Sequence, residues 1–323
     1  MPGFFHTQTG DANGLWPEFL GLCLGRCVLT GVLAGLGAGA LWGLVFVMPR
    51  MLEAYSGADL TAGRFVAYGL LAALMMFLGL SSRRWPNRSQ AAAALGMSVL
   101  GFSGYYLLLV LAIQDAGTEV PTLIIGTIPL WVMLLGKPAG LRWRGLWLGL
   151  LLTLGGLLLM TQASQGSAAA EGGHFTRGVL LATAAMVCWT LFALLNAAWL
   201  KRHPDVSATE WANWLGLASG VGALLLWGLA GSSATALAAQ PDLWLFALLC
   251  LGTGFGSAWL ATILWNLASQ RLSASLCGQL IVSETVFALF YSFAWDGQWP
   301  SLAQAAACAL FLLGILASIK AHA

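Results

Sequence analysis

Glu284 is the sole acidic residue near the middle of a long apolar run in this chain. A charge at bilayer depth costs about 2.5–3.5 kcal/mol on insertion scales, so such a residue faces protein or water rather than lipid. Three roles suit it: accepting a substrate ammonium, carrying a proton, or standing protonated in a hydrogen bond to a neighbouring helix. Phe102, Tyr105 and Tyr106 fall at i, i+3 and i+4 and share one helical face. That face serves either as a binding wall or as ordinary packing, since a buried phenol needs only a partner. Most of the sixteen tryptophans lie near run ends, and Trp16, Trp85, Trp143, Trp244 and Trp299 read as interfacial anchors, whereas Trp42 and Trp189 lie deeper. Two aromatic walls around a cavity suit a flat apolar side chain.

The amides Asn196, Asn213, Asn266 and Gln279 can donate and accept, and Gln279 and Ser283 share a face beside Glu284. Thr122 and Thr127 offer hydroxyls in the same run as Pro121 and Pro129, prolines that either kink that helix or are tolerated in it. A zwitterion needs acceptors for its ammonium, donors for its carboxylate and little net charge around it. Amides, hydroxyls and one glutamate meet that need better than a basic cluster. Arg64, just inside the outer end of a run, suits a carboxylate at the mouth or a side chain snorkelling to headgroups, and the depth favours snorkelling.

Several chemistries have no residues to carry them. The chain has no phosphate-binding Gly-x-x-x-x-Gly-Lys-Ser/Thr loop, no His-Glu-x-x-His and no Gly-x-Ser-x-Gly. His6, His174, His203 and His322 fall in loops or tails, and the six cysteines are scattered without metal-ligand spacing. Neither a cofactor nor an enzymatic activity is expected. The basic loops are a topology signal rather than a nucleic-acid patch.

The elements that must position these residues follow from composition. Of 323 residues, 59% are hydrophobic and 8% charged, with mean hydropathy +0.82. Soluble domains average about 25% charged residues, so a water-soluble fold is excluded. Apolar runs near 27–48, 61–81, 90–112, 118–135, 143–161, 177–200, 208–230, 242–268, 273–295 and 300–319 each meet the length of a transmembrane helix. Lipid requires every backbone group to be bonded within its segment, so these runs are helices: the fold class is an all-α membrane protein. Eleven of the fourteen Lys and Arg residues, from Arg26 to Lys320, fall on one side of this arrangement. The positive-inside rule then puts both termini in the cytoplasm.

The runs repeat. Leu111-Ala112-Ile113-Gln114 matches Leu267-Ala268-Ser269-Gln270 at an offset of 156, which also pairs Thr127 with Ser283. Trp42 pairs with Trp189 near the start of each half. Each half holds five runs, and an odd number of crossings turns the second copy upside down. The expected organisation is a cytoplasmic segment 1–26, a first five-helix repeat 27–161, a periplasmic linker 162–176, a second repeat 177–319 and a tail 320–323. Inverted repeats around a midplane site are a transporter architecture. Within span one, Gly31, Gly35, Gly39 and Gly43 form a small-residue stripe, serving either a rocking contact or tight packing.

Ala40-Leu41-Trp42-Gly43 followed by Phe46, then Tyr106 and Ala112, Ile128-Pro129-Leu130 and Gly314-Ile315-Leu316 carry a resemblance in their order and spacing. The chain resembles the drug/metabolite transporter superfamily in its EamA-type branch, and within it the YddG-type amino-acid exporters, whose substrates include aromatic amino acids. The resemblance implies a multi-pass bacterial inner-membrane exporter with a central cavity lined by both halves. Two positions depart from the family pattern: Glu284-Thr285 stands where span nine usually has a proline, and Gly136-Lys137-Pro138 where an acidic residue usually follows span four.

The expected cargo is a small zwitterion, an amino acid with a large apolar or aromatic side chain. Trp42, Phe102, Tyr105 and Tyr106 form its walls with Trp189 opposite; Asn266, Gln279 and Glu284 hold the polar head, with Thr122 and Ser283 adjoining. Its partners are that substrate and the lipid bilayer. A different small metabolite or a lipophilic cation in the same fold is one alternative. A non-transporting scaffold is the other, and it would tolerate apolar replacements of Gln279 and Glu284.

Overall fold

The computed structural model describes residues 15–44, 48–52, 54–79, 84–116, 119–164, 175–297 and 299–322. Among them the chain is helical, without strands. In order the helices are α1 (Leu15–Gly43), α2 (Met48–Met51), α3 (Gly57–Phe77), α4 (Arg88–Ser98), α5 (Gly104–Ala116), α6 (Glu119–Gly126), α7 (Ile128–Leu135) and α8 (Trp143–Ser164). They continue as α9 (Phe175–Arg202), α10 (Ala208–Ala230), α11 (Ala234–Ala238), α12 (Leu243–Thr253), α13 (Ala261–Arg271), α14 (Ala274–Asp296) and α15 (Leu302–His322). Seven helical stretches among the described residues are long and apolar enough to cross a bilayer. Three shorter apolar stretches, Cys27–Gly43, Ile124–Leu135 and Leu146–Leu159, accompany them. Outward faces carry large apolar side chains such as Leu70, Leu74, Leu224, Leu225 and Leu229, the surface that lipid rather than water requires.

Three of the apolar runs are not single α-helices. α4 and α5 are joined by a π-helical segment, Val99–Ser103, and α12 and α13 by another, Gly254–Leu260. Such wide turns inside a helix occur often at functional sites. The fourth run breaks at Thr127, two residues before Pro129, where a proline cannot supply the next helical N–H. The Thr127 hydroxyl donates to the Ile124 carbonyl at 2.6 Å and accepts from the Trp131 indole at 3.1 Å. Helix α15 runs through His322, so the residues read as a tail after 319 continue the helix. The segment 1–14, linker residues 165–174, Phe46 and the side chain of Thr122 lie outside the described residues.

Glycine sets the closest crossings. The Gly31, Gly35, Gly39 and Gly43 stripe of α1 faces Leu272 and then α14: a Cβ on Gly39 would run into Ser283, and one on Gly43 into the Ala288 backbone. Where α3 crosses α10, a Cβ on Gly69 would come within 2.8 Å of the Gly220 Cα. Helix α8 packs along α15. Helix α1 lies against α13 and α14, while α9 lies against α5, α6 and α7, and α7 also meets α14. Two ion pairs tie ends together: Arg177 grips Asp115 at 2.5 and 2.7 Å between α9 and α5, and Arg84 reaches Asp205 at 3.8 Å.

Candidate functional site

An aromatic cluster occupies the middle of the bundle. Trp42 of α1 and Trp189 of α9 meet edge to face with ring centroids 6.4 Å apart. Trp265 of α13 closes a triangle with them, at 5.5 Å from Trp42 and 6.2 Å from Trp189. The array continues from Trp189 to Phe192 at 6.1 Å, from Phe192 to Phe102 at 5.4 Å, and from Phe102 to Phe65 at 5.7 Å. Edge-to-face rings of this kind add about 0.5–1.5 kcal/mol per pair beyond area burial, which holds the wall rigid. Phe102 stands in the first π segment, so the widened turn is what presents it to α3 and α9. Among the described residues the indole Nε1 of Trp265 has no acceptor although it is buried.

Charged and phenolic groups gather between α3, α5 and α14. Tyr105, Tyr106 and Glu284 each lie within electrostatic range of Arg64, and Tyr105 also lies within range of Glu284. The Arg64 guanidinium carbon lies 5.0 Å from the Phe65 ring centroid, and its Nε is buried. Sequence depth alone favoured snorkelling for Arg64; the structure instead turns the side chain inward, because Gly63 and Gly254 let α3 lie flush on α12 and the second π segment. Ser257 in that segment donates to the Leu41 carbonyl of α1 at 2.6 Å, which fixes α1 next to it. A cleft of about 500 Å³ opens beside these elements, lined by Leu44, Met48, Leu249, Gly256 and Ser257, with Tyr291 of α14 opposite.

The amides are employed elsewhere. Asn196 accepts from the Trp211 indole at 2.6 Å and donates to Asn266 at 3.1 Å, and Asn266 donates to the Ala208 carbonyl at 3.3 Å. That chain ties α9, α10 and α13 together. Gln279 donates to Thr153 at 3.0 Å and accepts from Ser318 at 3.1 Å, fastening α14 to α8 and α15. Asn213 accepts from the Trp259 indole at 2.7 Å. The Ser283 hydroxyl returns to its own helix, donating to the Leu280 carbonyl at 2.7 Å. Asn266 and Gln279 are fully buried. The sequence-derived set therefore divides: Trp42, Trp189 and Phe102 share one aromatic array, Tyr105, Tyr106 and Glu284 share one polar cluster, and Asn266, Gln279 and Ser283 sit in helix packing.

Three participants escaped the sequence-derived set. Arg64 was weighed only at the mouth, and Trp265 and Phe192 were not singled out. A signal existed for Trp265: it lies one residue before a buried asparagine in a run already rich in polar groups. Among the described residues no group of three or more His, Cys, Asp or Glu could hold a metal ion.

The chain is similar to several known proteins. Residues 29–162 match the model of the EamA-like transporter family. The inner membrane protein YtfF of Escherichia coli (strain K12) is 32% identical over 308 residues, covering 91% of this chain and 96% of that protein. The uncharacterized transporter YdfC of Bacillus subtilis (strain 168) is 27% identical over 180 residues, 53% of this chain and 56% of that protein. A solved protein crystal structure superposes with a TM-score of 0.70 at 22% identity, covering 89% of this chain and 97% of its own.

Proposed function

Because the chain belongs to the EamA-like transporter family, within the drug/metabolite transporter superfamily, we propose that it exports small zwitterionic metabolites, amino acids with large apolar or aromatic side chains. It is a membrane transporter and a multi-pass protein of the inner membrane. Its route is alternating access between two inverted five-helix repeats, ten spans in all, with both termini in the cytoplasm. Two observations support that architecture. The offset of 156 carries Val99–Ser103 onto 255–259, inside the second π segment Gly254–Leu260. The packing of α1 on α13 and α14 is mirrored by the packing of α9 on α5, α6 and α7.

Two observations carry the cargo assignment: the aromatic array that α1 shares with α9, and the carboxyl-bearing residue on α14 whose backbone lies against Gly39 of the same α1. Trp42 and Trp189, one from each half, converge with Phe102 nearby, and Glu284 lies with Tyr105 and Tyr106 on α14 and α5. In this account the wall holds an apolar side chain and Glu284 receives the ammonium. A rocking motion that separates α1 from α9 would part Trp42 from Trp189 and release the cargo to the other side.

Pure protein in liposomes tests the proposal through uptake of a panel of labelled amino acids, with and without a pH gradient. Saturable uptake of phenylalanine, tryptophan and leucine, above that of protein-free liposomes, is the expected result. Uptake of none of the panel would refute it.

A further inference from the structure

We propose that Arg64 is the carboxylate-binding residue of this transporter, so that cargo is recognised at both ends, its ammonium by Glu284 and its carboxylate by Arg64. The inference rests on the amino-acid reading above and sharpens it into a rule for what is carried.

Arg64 sits seven residues into α3, which at 1.5 Å per residue is about 10 Å along the axis from Gly57. Its helix lies against α12 and the second π segment. Beside it Gly63 abuts Cys250 and Phe246, and a Cβ on Gly254 would come within 3.0 Å of the Arg64 carbonyl. The guanidinium is spread near the Phe65 ring, a cation–π placement that weakly hydrated guanidinium accepts better than ammonium would. Its buried Nε donates to nothing among the described residues. Among the described residues, Glu284, Tyr105, Tyr106 and Cys250 lie within electrostatic range of it. Among the described residues Arg64 and Glu284 form no direct ion pair.

That arrangement is costly unless it is used. The buried Nε of Arg64 is left without an acceptor, and no direct ion pair with Glu284 relieves it among the described residues. An α-amino acid carries ammonium and carboxylate on one carbon, and set between Arg64 and Glu284 it presents each end to its counter-charge. The planar fork of arginine matches a carboxylate with two parallel N–H···O bonds, which a point charge cannot do. Tyr105 and Tyr106 offer hydroxyls on the same side, while Trp42, Trp189 and Trp265 receive the side chain. The same geometry rejects other classes. An amine without a carboxylate meets the uncompensated charge of Arg64, and a phosphate dianion meets Glu284.

The test compares phenylalanine with phenethylamine, the same molecule without its carboxylate. Proteoliposomes preloaded with one unlabelled compound are given its labelled form, for the parent, Arg64→Met, Arg64→Gln and Arg64→Lys at matched reconstitution. The parent should exchange phenylalanine and discriminate against phenethylamine. Arg64→Met and Arg64→Gln should lose phenylalanine exchange by about tenfold or more and with it the discrimination, while Arg64→Lys keeps part of both. Removing an unpaired buried charge should leave the thermal unfolding of the detergent-solubilised protein at or above the parent's. If one neutral variant fails to reconstitute, the other and the lysine variant carry the same ratio. Undiminished phenylalanine exchange in the neutral variants, or a parent that carries both compounds equally, overturns the Arg64 assignment and leaves the amino-acid reading standing. A parent that carries neither overturns both.

Discussion

Trp42 of α1 and Trp189 of α9 stand edge to face, their ring centroids 6.4 Å apart. The pairing links residues 147 positions apart in sequence, so α1 and α9 each lend one indole to a common wall. A contact of this kind senses any relative movement of α1 and α9, which gives the site a direct mechanical tie to the motion it serves.

Trp189→Ala should weaken aromatic cargo more than alanine. Loss of one edge-to-face partner is worth about 0.5–1.5 kcal/mol, or about 2- to 10-fold in apparent affinity for phenylalanine. Competition by unlabelled phenylalanine and alanine against a common tracer measures the difference. Equal losses for both amino acids would remove Trp189 from the site.

Glu284→Gln keeps the shape of the side chain and removes its charge. If Glu284 couples cargo movement to protons, the variant's transport should cease to respond to an imposed pH gradient while exchange at uniform pH persists in part. A fluorescent pH reporter inside the liposomes, read beside tracer uptake, checks this. A response matching the parent's would strip Glu284 of the coupling role.

Gly39→Leu should damage the protein by overpacking, because a Cβ on Gly39 already meets Ser283 and the Glu284 backbone. Forcing extra carbons into such a contact costs about 1–3 kcal/mol or more. The expected result is a lower unfolding temperature in detergent and loss of transport, and a fully stable, active variant would show that α1 and α14 do not approach as closely as the structure has them.

Gln279→Leu tests the division of the polar residues. Its bonds to Thr153 and Ser318 join three helices, and side-chain hydrogen bonds inside membranes are worth about 0.6 kcal/mol each. Stability should fall by about 1 kcal/mol with the ranking of cargo unchanged. A variant with parental stability and altered ranking would return Gln279 to the binding site.

The helical class was legible because lipid imposes one simple rule, about twenty apolar residues per crossing, and among the described residues seven stretches meet it with three shorter apolar ones beside them. The Gly31–Gly43 stripe was legible too, since four-residue spacing fixes a face without knowledge of the partner. What sequence could not supply was the partner itself. Asn266 and Gln279 were rightly seen as polar groups at membrane depth, yet whether an amide faces a cavity or another helix depends on which helices meet. For Arg64 too, depth along one helix says nothing of the direction in which the side chain leaves it, and the buried Nε is visible only in three dimensions. The π segments Val99–Ser103 and Gly254–Leu260 were not anticipated, because apolar run length alone does not distinguish a wide turn from an α-helical one.

The account turns on two bundles of five helices that enter the bilayer in opposite senses. Reporters active on only one side of the membrane, fused at each terminus and inserted within 165–174, measure this most directly. Both termini should report the cytoplasm and the 165–174 insertion the periplasm. Termini on opposite faces, or an insertion in the cytoplasm, would contradict it.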